Sequence, residues 1–563
     1  MTGHTMPDFL TFAKKQEKFF PAGVFVLTIC LYLPQLFLRE ALLRDVACRY
    51  APMAEAFAAG QFRYAFHPRV LSLSPLVSGC FCYLTGCSGF TAVQLSSLLF
   101  LGLSVFPLYR ILKLVFDRST AVWGTLLLVL VSPVTSVCVS GLRESHKLFV
   151  LLVLSLGILS VFKERSKYSG FLLAGAGCGL ALCTRVDLIL PSFALMIAAG
   201  AMEFAALKSL KRSFCGLLLV LPFLLFEIAV NYYVSGFAIP GSHYIRFFQL
   251  LPQEAATPGG VWIYVILPSI VNCFLLSLIC GGILRSRIGR KLPRLVIPLL
   301  AAAAVISTLL LLFNCTGLSF SDRIKALFNF LHSILYGCNL PLSILAALGI
   351  FSLKKQNKWD DSQTFLLDLF FFWILAVILQ ILVIEHNLYV SKRYLLPCTL
   401  LLAGWGVRGI ALCGNKLKEK TGRAGKVLSG VLFILLPCIC LYHAYSNILE
   451  YKFDSRKKTQ LETLKTVSAV IRKHYDGPRY FEPGFSFWEY RGCRRPKVAF
   501  IRLSKAVPAA YLSGGSAVPH WETPDFTVAP AEEKLSETKW RKIKADLPFG
   551  KTKINVWELK KTK

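Results

Sequence analysis

The chain has 563 residues, of which 17% are charged and 55% apolar, with a mean hydropathy of +0.57, whereas a soluble chain carries about a quarter charged residues. That balance excludes a water-soluble enzyme or binding module as the bulk of the protein and makes lipid its main solvent. The formal charge of +32 would indicate a nucleic-acid partner only as a basic face on a soluble fold. Here Lys and Arg stand in short clusters between apolar runs, which is the mark of basic loops kept on the cytoplasmic side, so no nucleic-acid partner is expected.

Lys14, Lys15 and Lys18 precede the first apolar run. A cleavable signal would follow them with a short apolar region and a small-residue site, but the run from Phe19 to Phe37 is long enough to span and reads as a retained helix. Spans need about 20 apolar residues. Such runs recur near 20–38, 91–112, 120–140, 146–162, 168–184, 187–206, 214–234, 261–284, 295–313, 331–352, 365–384, 395–412 and 427–445. A polytopic α-helical membrane protein of about thirteen spans is therefore expected.

The loop charges support the same count. With residues 1–19 inside, every second connection is basic, as in Arg110/Lys113/Arg118, Lys163/Arg165/Lys167, Lys208/Lys211/Arg212 and Lys354/Lys355/Lys358. The alternate connections are poorer in Lys and Arg and hold Glu40, Asp45, Glu55, Glu144, Asp187, Glu254 and Glu385. A cytoplasmic N-terminus and a membrane domain over 20–445 follow, and the odd span count puts 446–563 outside the cytoplasm. That tail reads as a small α/β domain, with a helix over 460–475, strand-like runs at 479–481, 497–502 and 553–559, and a Gly/Ser/Pro/Thr-rich loop over 513–530.

The outer connection 39–90 is the longest in the N-terminal half. Asp45 follows directly on the first helix, and 50–59 forms an amphipathic helix lying on the membrane, closed by Gly60. Many cysteines lie inside apolar runs, and no CxxC pair has zinc spacing. A disulfide among Cys48, Cys80, Cys82 and Cys87 is left open by the spacing. The sequon Asn314-Cys315-Thr316 falls on an outer loop and matters only where the source cell glycosylates that side.

Several stretches share an order and a sidedness. They are Asp45 with Tyr50 and a small-residue helix ending at Gly60; Phe106-Pro-Leu-Tyr-Arg110; Ser132-Pro133; Leu142-Arg-Glu144; Gly175, Gly177 and Gly179 leading to Arg185 and Asp187; and Ser391-Lys392-Arg393-Tyr394-Leu-Leu-Pro397. In these the chain resembles the C-type membrane glycosyltransferases, in the branch of the protein O-mannosyltransferases and the bacterial lipid A aminoarabinose transferase. The resemblance covers about 20–445 and is weakest between about 240 and 380.

The resemblance implies transfer of a sugar from a polyprenyl-phosphate donor to an acceptor, with inversion, at the outer face of the membrane (the plasma or inner membrane in a bacterium). Such a reaction needs a carboxylate to take the acceptor's proton and fixed cations beside the departing lipid phosphate. Asp45 is the candidate base, and Arg185, Lys392 and Arg393 are the candidate phosphate ligands. Glu144, His67, His243 and Arg246 are candidates for contacting acceptor or sugar, Glu144 also for holding a metal. Some relatives hold a divalent metal on two acids one residue apart; the Asp45 region has no such pair, so no cofactor is required and a divalent metal is left open. Arg44-Asp45 stands where the protein O-mannosyltransferases have Asp-Glu, which leaves the acceptor open among lipid, glycan and protein.

Plainer readings stand beside these. Arg185 and Asp187 read equally as a helix-end pair, Glu144 as an ion-pair partner of its neighbours Arg143 and Lys147, and Lys392 and Arg393 as interface anchors. For the whole protein the alternatives are a transporter or lipid flippase, with Glu227 and Asp368 as internal acids, and a noncatalytic scaffold.

Overall fold

The structure is a computed structural model. It describes residues 19–38, 43–66, 70–130, 139–164, 166–235, 340–356, 358–384, 392–414, 454–477, 481–483, 492–503, 505–520, 523–549 and 552–560, with Phe328, His332, Cys438 and Tyr442 besides. The runs expected at 261–284 and 295–313, most of that at 427–445, and the sequon lie outside the described residues.

Among the described residues, five helices are long and apolar enough to cross a membrane, within Gly89–Val115, Glu144–Lys163, Asp187–Phe204, Lys211–Val234 and Pro397–Gly414. Phe20–Leu36, Leu73–Thr85 and Tyr168–Thr184 are shorter apolar helices. The helix Glu144–Lys163 is buried on nearly every side, as expected of a helix that is apolar all round and lies at the centre of a bundle. Its neighbour Tyr168–Thr184 owes its glycines to close packing. A Cβ on Gly157 would lie 2.4 Å from the backbone nitrogen of Ala174, and one on Gly175 would lie 2.1 Å from the carbonyl oxygen of Gly216 in the helix Lys211–Ser235. Without a hydrophobic force between helices in lipid, such small-residue contacts let the backbones meet and gain dispersion energy.

The expected amphipathic helix forms. A π turn, Val46–Tyr50, runs into the helix Ala51–Ala58. Gly60 takes φ +71, its N–H donates to Phe57, and that of Gln61 donates to Ala56, which together make a Schellman stop. Its apolar face meets protein rather than lipid. Val46, Tyr50, Ala51, Met53 and Ala54 pack with Cys82, Ala92, Val93 and Leu142.

The connection 39–90 holds a further helix that the sequence reading passed over, Leu73–Thr85, ended by Gly86 at φ +65. It is tied to the bundle by Glu227 of the helix Lys211–Ser235, whose buried carboxylate accepts from the N–H of Ser72 at 2.8 Å and from its hydroxyl. Cys48, Cys80, Cys82 and Cys87 are all free thiols.

The C-terminal segment is an α/β unit. Its sheet has the order β4-β3-β5-β7-β6, with β3 (Lys497–Phe500), β4 (Ser516–Val518), β5 (Phe526–Pro530), β6 (Trp540–Phe549) and β7 (Thr552–Leu559). β3 is parallel to β4 and β5, and β7 is antiparallel to β5 and β6. The helix Ser455–His474 covers it, placing Leu464, Val467 and Ile471 on Val498, Phe526, Val528, Ile554 and Val556. The loop expected over 513–530 is corrected here, because it contains β4 and β5. Every residue of those two strands is buried, so a few apolar residues suffice despite the turn-rich composition. β6 was also missed. It is an edge strand with Arg541, Lys542 and Lys544 exposed, and such charges suppress strand-to-strand association.

Candidate active site

Four of the predicted residues sit at helix ends and meet. The helix Tyr168–Thr184 stops at Arg185, which is extended at φ −153, ψ 137, and the next helix starts at Val186. Glu144 lies in the first turn of Glu144–Lys163, Arg393 in the first turn of Lys392–Thr399, and Asp45 immediately before the π turn. Arg393 Nη1 lies 3.3 Å from Asp45 Oδ2, and its Nε lies 3.6 Å from Glu144 Oε1. Arg185 Nη1 approaches the same Glu144 oxygen at 3.7 Å. Sequence separations as large as 348 residues are closed here.

The other end of the same helices carries the basic side chains. There Lys163 donates to the carbonyl of Leu114, Arg212 Nε donates to the carbonyl of Ser166 at 2.9 Å, and Arg408 pairs with Asp117. The bundle thus has one end with mixed charge and one mostly basic end.

Three further side chains complete the cluster, and the sequence reading did not assign them a site role. Asp187 binds Lys147 Nζ at 2.7 Å and Arg185 Nε at 2.8 Å. Lys147 is fully buried, so the Asp187 carboxylate is what makes its charge tolerable there. The ring of Tyr394 lies 5.1 Å from the Arg393 guanidinium, 5.3 Å from that of Arg185 and 5.8 Å from the Lys147 ammonium, within the range of cation–π attraction. Helical spacing could have signalled Lys147, since it lies three residues after Glu144 and shares its face. Nothing in the local sequence shows that Asp187 faces Lys147 from another helix.

The plainer pairing of Arg185 with Asp187 is present. Glu144, by contrast, is directed to Arg185 and Arg393 and not to its neighbours Arg143 and Lys147. Arg143 donates instead to the hydroxyl of Tyr50 at 3.2 Å and to the carbonyl of Thr184 at 3.3 Å, tying the Asp45 segment to the helix break.

The cluster has a tight part and a loose part. Asp187, Lys147 and Arg185 are joined at hydrogen-bond distance, whereas the three contacts among Asp45, Glu144, Arg185 and Arg393 are 3.3–3.7 Å. Glu144 is buried, and its Oε2 has no hydrogen-bond partner among the described residues. An anion reaching Arg393 would compete with weakly held carboxylates, while Asp187 would keep Arg185 in place.

The side chain of Lys392 and the whole of His67, His243 and Arg246 lie outside the described residues. Among the described residues no group of three or more His, Cys, Asp or Glu side chains converges as metal ligands. The three acids of the cluster each face a cation, so this donor set does not fit a divalent ion.

Residues 73–231 match the family model for dolichyl-phosphate-mannose-protein mannosyltransferase. The matched stretch carries the helices from Leu73–Thr85 to most of Lys211–Ser235, and it is this part of the chain that is similar to the membrane mannosyltransferase family. No curated protein matches the sequence.

Among solved structures, ArnT from Cupriavidus metallidurans in the apo state aligns with a TM-score of 0.49 at 12% identity, over 95% of this chain and 98% of that one. ArnT from the same organism bound to undecaprenyl phosphate aligns with a TM-score of 0.42 at 12% identity, over 95% and 97%. The archaeal oligosaccharyltransferase AglB from Archaeoglobus fulgidus, in complex with an inhibitory peptide and a dolichol-phosphate, aligns with a TM-score of 0.44 at 11% identity, over 92% and 70%.

Proposed function

We propose that the protein transfers a sugar from a polyprenyl-phosphate donor to a lipid, glycan or protein acceptor at the outer face of the membrane, with inversion at the anomeric carbon. The observation that carries this reading is the meeting of Asp45, Glu144, Arg185 and Arg393 at one end of the bundle. In the orientation given by the basic loops, the N-terminus is cytoplasmic and residues 446–563 lie on the side of the cluster.

Asp45 accepts the proton of the acceptor nucleophile as that nucleophile bonds to the anomeric carbon. The bond from that carbon to the donor phosphate breaks, and the polyprenyl phosphate leaves with the electron pair. Arg393 and Arg185 face the charge that grows on it, with Lys392 next in sequence as the third candidate ligand. In the ligand-free arrangement Arg393 is shared between two carboxylates at long range. Donor phosphate draws it away from Asp45, and the freed carboxylate turns to the acceptor. Donor therefore binds before acceptor.

A transporter would leave the sugar–phosphate bond intact and would need a mobile acid within the bundle. Glu227 is already engaged by Ser72 and Asn231, which removes one of the two internal acids, Glu227 and Asp368, that a carrier would use. Protein reconstituted in liposomes with a labelled polyprenyl-phosphate sugar distinguishes the two. Free polyprenyl phosphate with a glycosylated acceptor supports transfer, and intact labelled donor in the opposite leaflet supports transport.

A further inference from the structure

The helical rod 44–58 touches two different parts of the molecule. Its start presents Asp45 to Arg393, and near its end Glu55 meets the C-terminal α/β unit. Glu55 Oε1 accepts from the hydroxyl of Tyr511 at 2.6 Å and from the N–H of Gly89 at 3.1 Å, and its Oε2 pairs with Arg494. The Tyr511 hydroxyl in turn accepts from the N–H of Phe90 at 3.1 Å.

Each clamp residue is anchored on its own side. Arg494 ends β2 (Gly492–Arg494), which pairs with β1 (Phe481–Pro483), and its N–H donates to Ser516 Oγ of β4 at 2.7 Å. Tyr511 sits in the short helix Pro508–Leu512, whose Leu512 carbonyl accepts from Arg472 Nε at 2.9 Å. Gly89 is needed at the junction, since a Cβ there would lie 2.2 Å from the carbonyl oxygen of Ala51. Midway along the rod, Cys48 is buried in the same apolar cluster as Leu464, Val467, Val507 and Val556 of the C-terminal unit.

We infer that the C-terminal α/β unit sets the position of Asp45, with Glu55, Arg494 and Tyr511 as positioning residues that hold the rod at the end away from Asp45. The inference rests on the transferase reading for its effect on rate. Asp45 and Glu55 lie on one continuous rod, so the rod can carry a shift at the clamp to the carboxylate, and misplacements of about 1 Å cost up to about a hundredfold in rate.

Two measurements on the full-length protein test this. The first is labelling of Cys48 by a membrane-impermeant maleimide, read by mass spectrometry. In the docked state burial pushes this thiol well above its ordinary range, and it is shielded and unreactive. The second is kcat against donor KM. Arg494→Ala and Tyr511→Phe should each raise the labelling rate about tenfold, the size expected for losing one charge-assisted hydrogen bond. They should lower kcat by about tenfold or more with little change in donor KM, and Arg494→Lys should recover part of both.

Tyr511→Phe keeps the ring and guards against simple misfolding of the alanine variant. Unchanged Cys48 labelling in both variants, or raised labelling with unchanged kcat, overturns the proposal. If the wild-type protein transfers no sugar, the transferase reading falls, while the labelling, which needs no donor, still decides whether the unit holds the rod.

Discussion

Arg393 reaches Asp45 at 3.3 Å although the two are 348 residues apart, and it does so while leaning on Glu144 at 3.6 Å. One guanidinium shared by two carboxylates at such distances is held in place without being tightly bonded. The same cation is thus positioned for an incoming phosphate and already keeps Asp45 in check.

Arg393→Ala should weaken donor binding and lower kcat/KM by about a hundredfold to a thousandfold, the usual cost of removing one donor aimed at developing charge. Arg393→Lys keeps the charge but loses the two-pronged geometry, so partial recovery is expected. Steady-state kinetics with a polyprenyl-phosphate sugar, over a range of donor concentrations, checks both variants.

Donor before acceptor follows from the shared guanidinium. Product inhibition should show polyprenyl phosphate competing with donor and not with acceptor. A pattern with either substrate binding first would contradict the exchange of Arg393 from Asp45 to phosphate.

Asp187→Asn leaves Lys147, fully buried, without a carboxylate. Breaking a buried pair in this way costs about 3–5 kcal/mol, so a lower melting temperature in detergent is expected. Adding Lys147→Met should restore much of that stability. It should not restore full activity, because Arg185 has lost the charge of the Asp187 carboxylate that holds it at 2.8 Å.

Gly157→Val should separate the helices Glu144–Lys163 and Tyr168–Thr184, since even a Cβ there would lie 2.4 Å from a backbone nitrogen. Overpacking of this kind costs about 1–3 kcal/mol. Thermal unfolding reads the loss, and because Glu144 and Arg185 sit on these two helices, kcat should fall with it.

Much of this was legible in the sequence. Among the described residues hydropathy marked the apolar helices apart from Leu73–Thr85, the Gly60 stop closed the first outer helix where expected, and the alternation of basic loops put Asp45, Glu144, Arg185 and Arg393 on one side. The partners of these residues were not legible. The pairing of Lys147 with Asp187 depends on the approach of two helices, which no local pattern encodes. The helix Leu73–Thr85 carries Ser74, Ser78 and Thr85 among its apolar residues, which blurs the apolar signal, and it is held by the distant Glu227. β4 and β5 hid in a Gly/Pro-rich stretch because burial on both sides, and not composition, makes them strands.

The most direct test is Asp45→Asn in purified, reconstituted protein, with sugar transfer and donor binding measured side by side. The substitution removes the base and keeps the shape, so transfer should fall by at least about a hundredfold. Donor should bind as tightly as before, or more tightly, since Arg393 loses a competing carboxylate. Transfer at the wild-type rate in that variant would remove Asp45 from the chemistry and contradict the reading of the cluster as an active site.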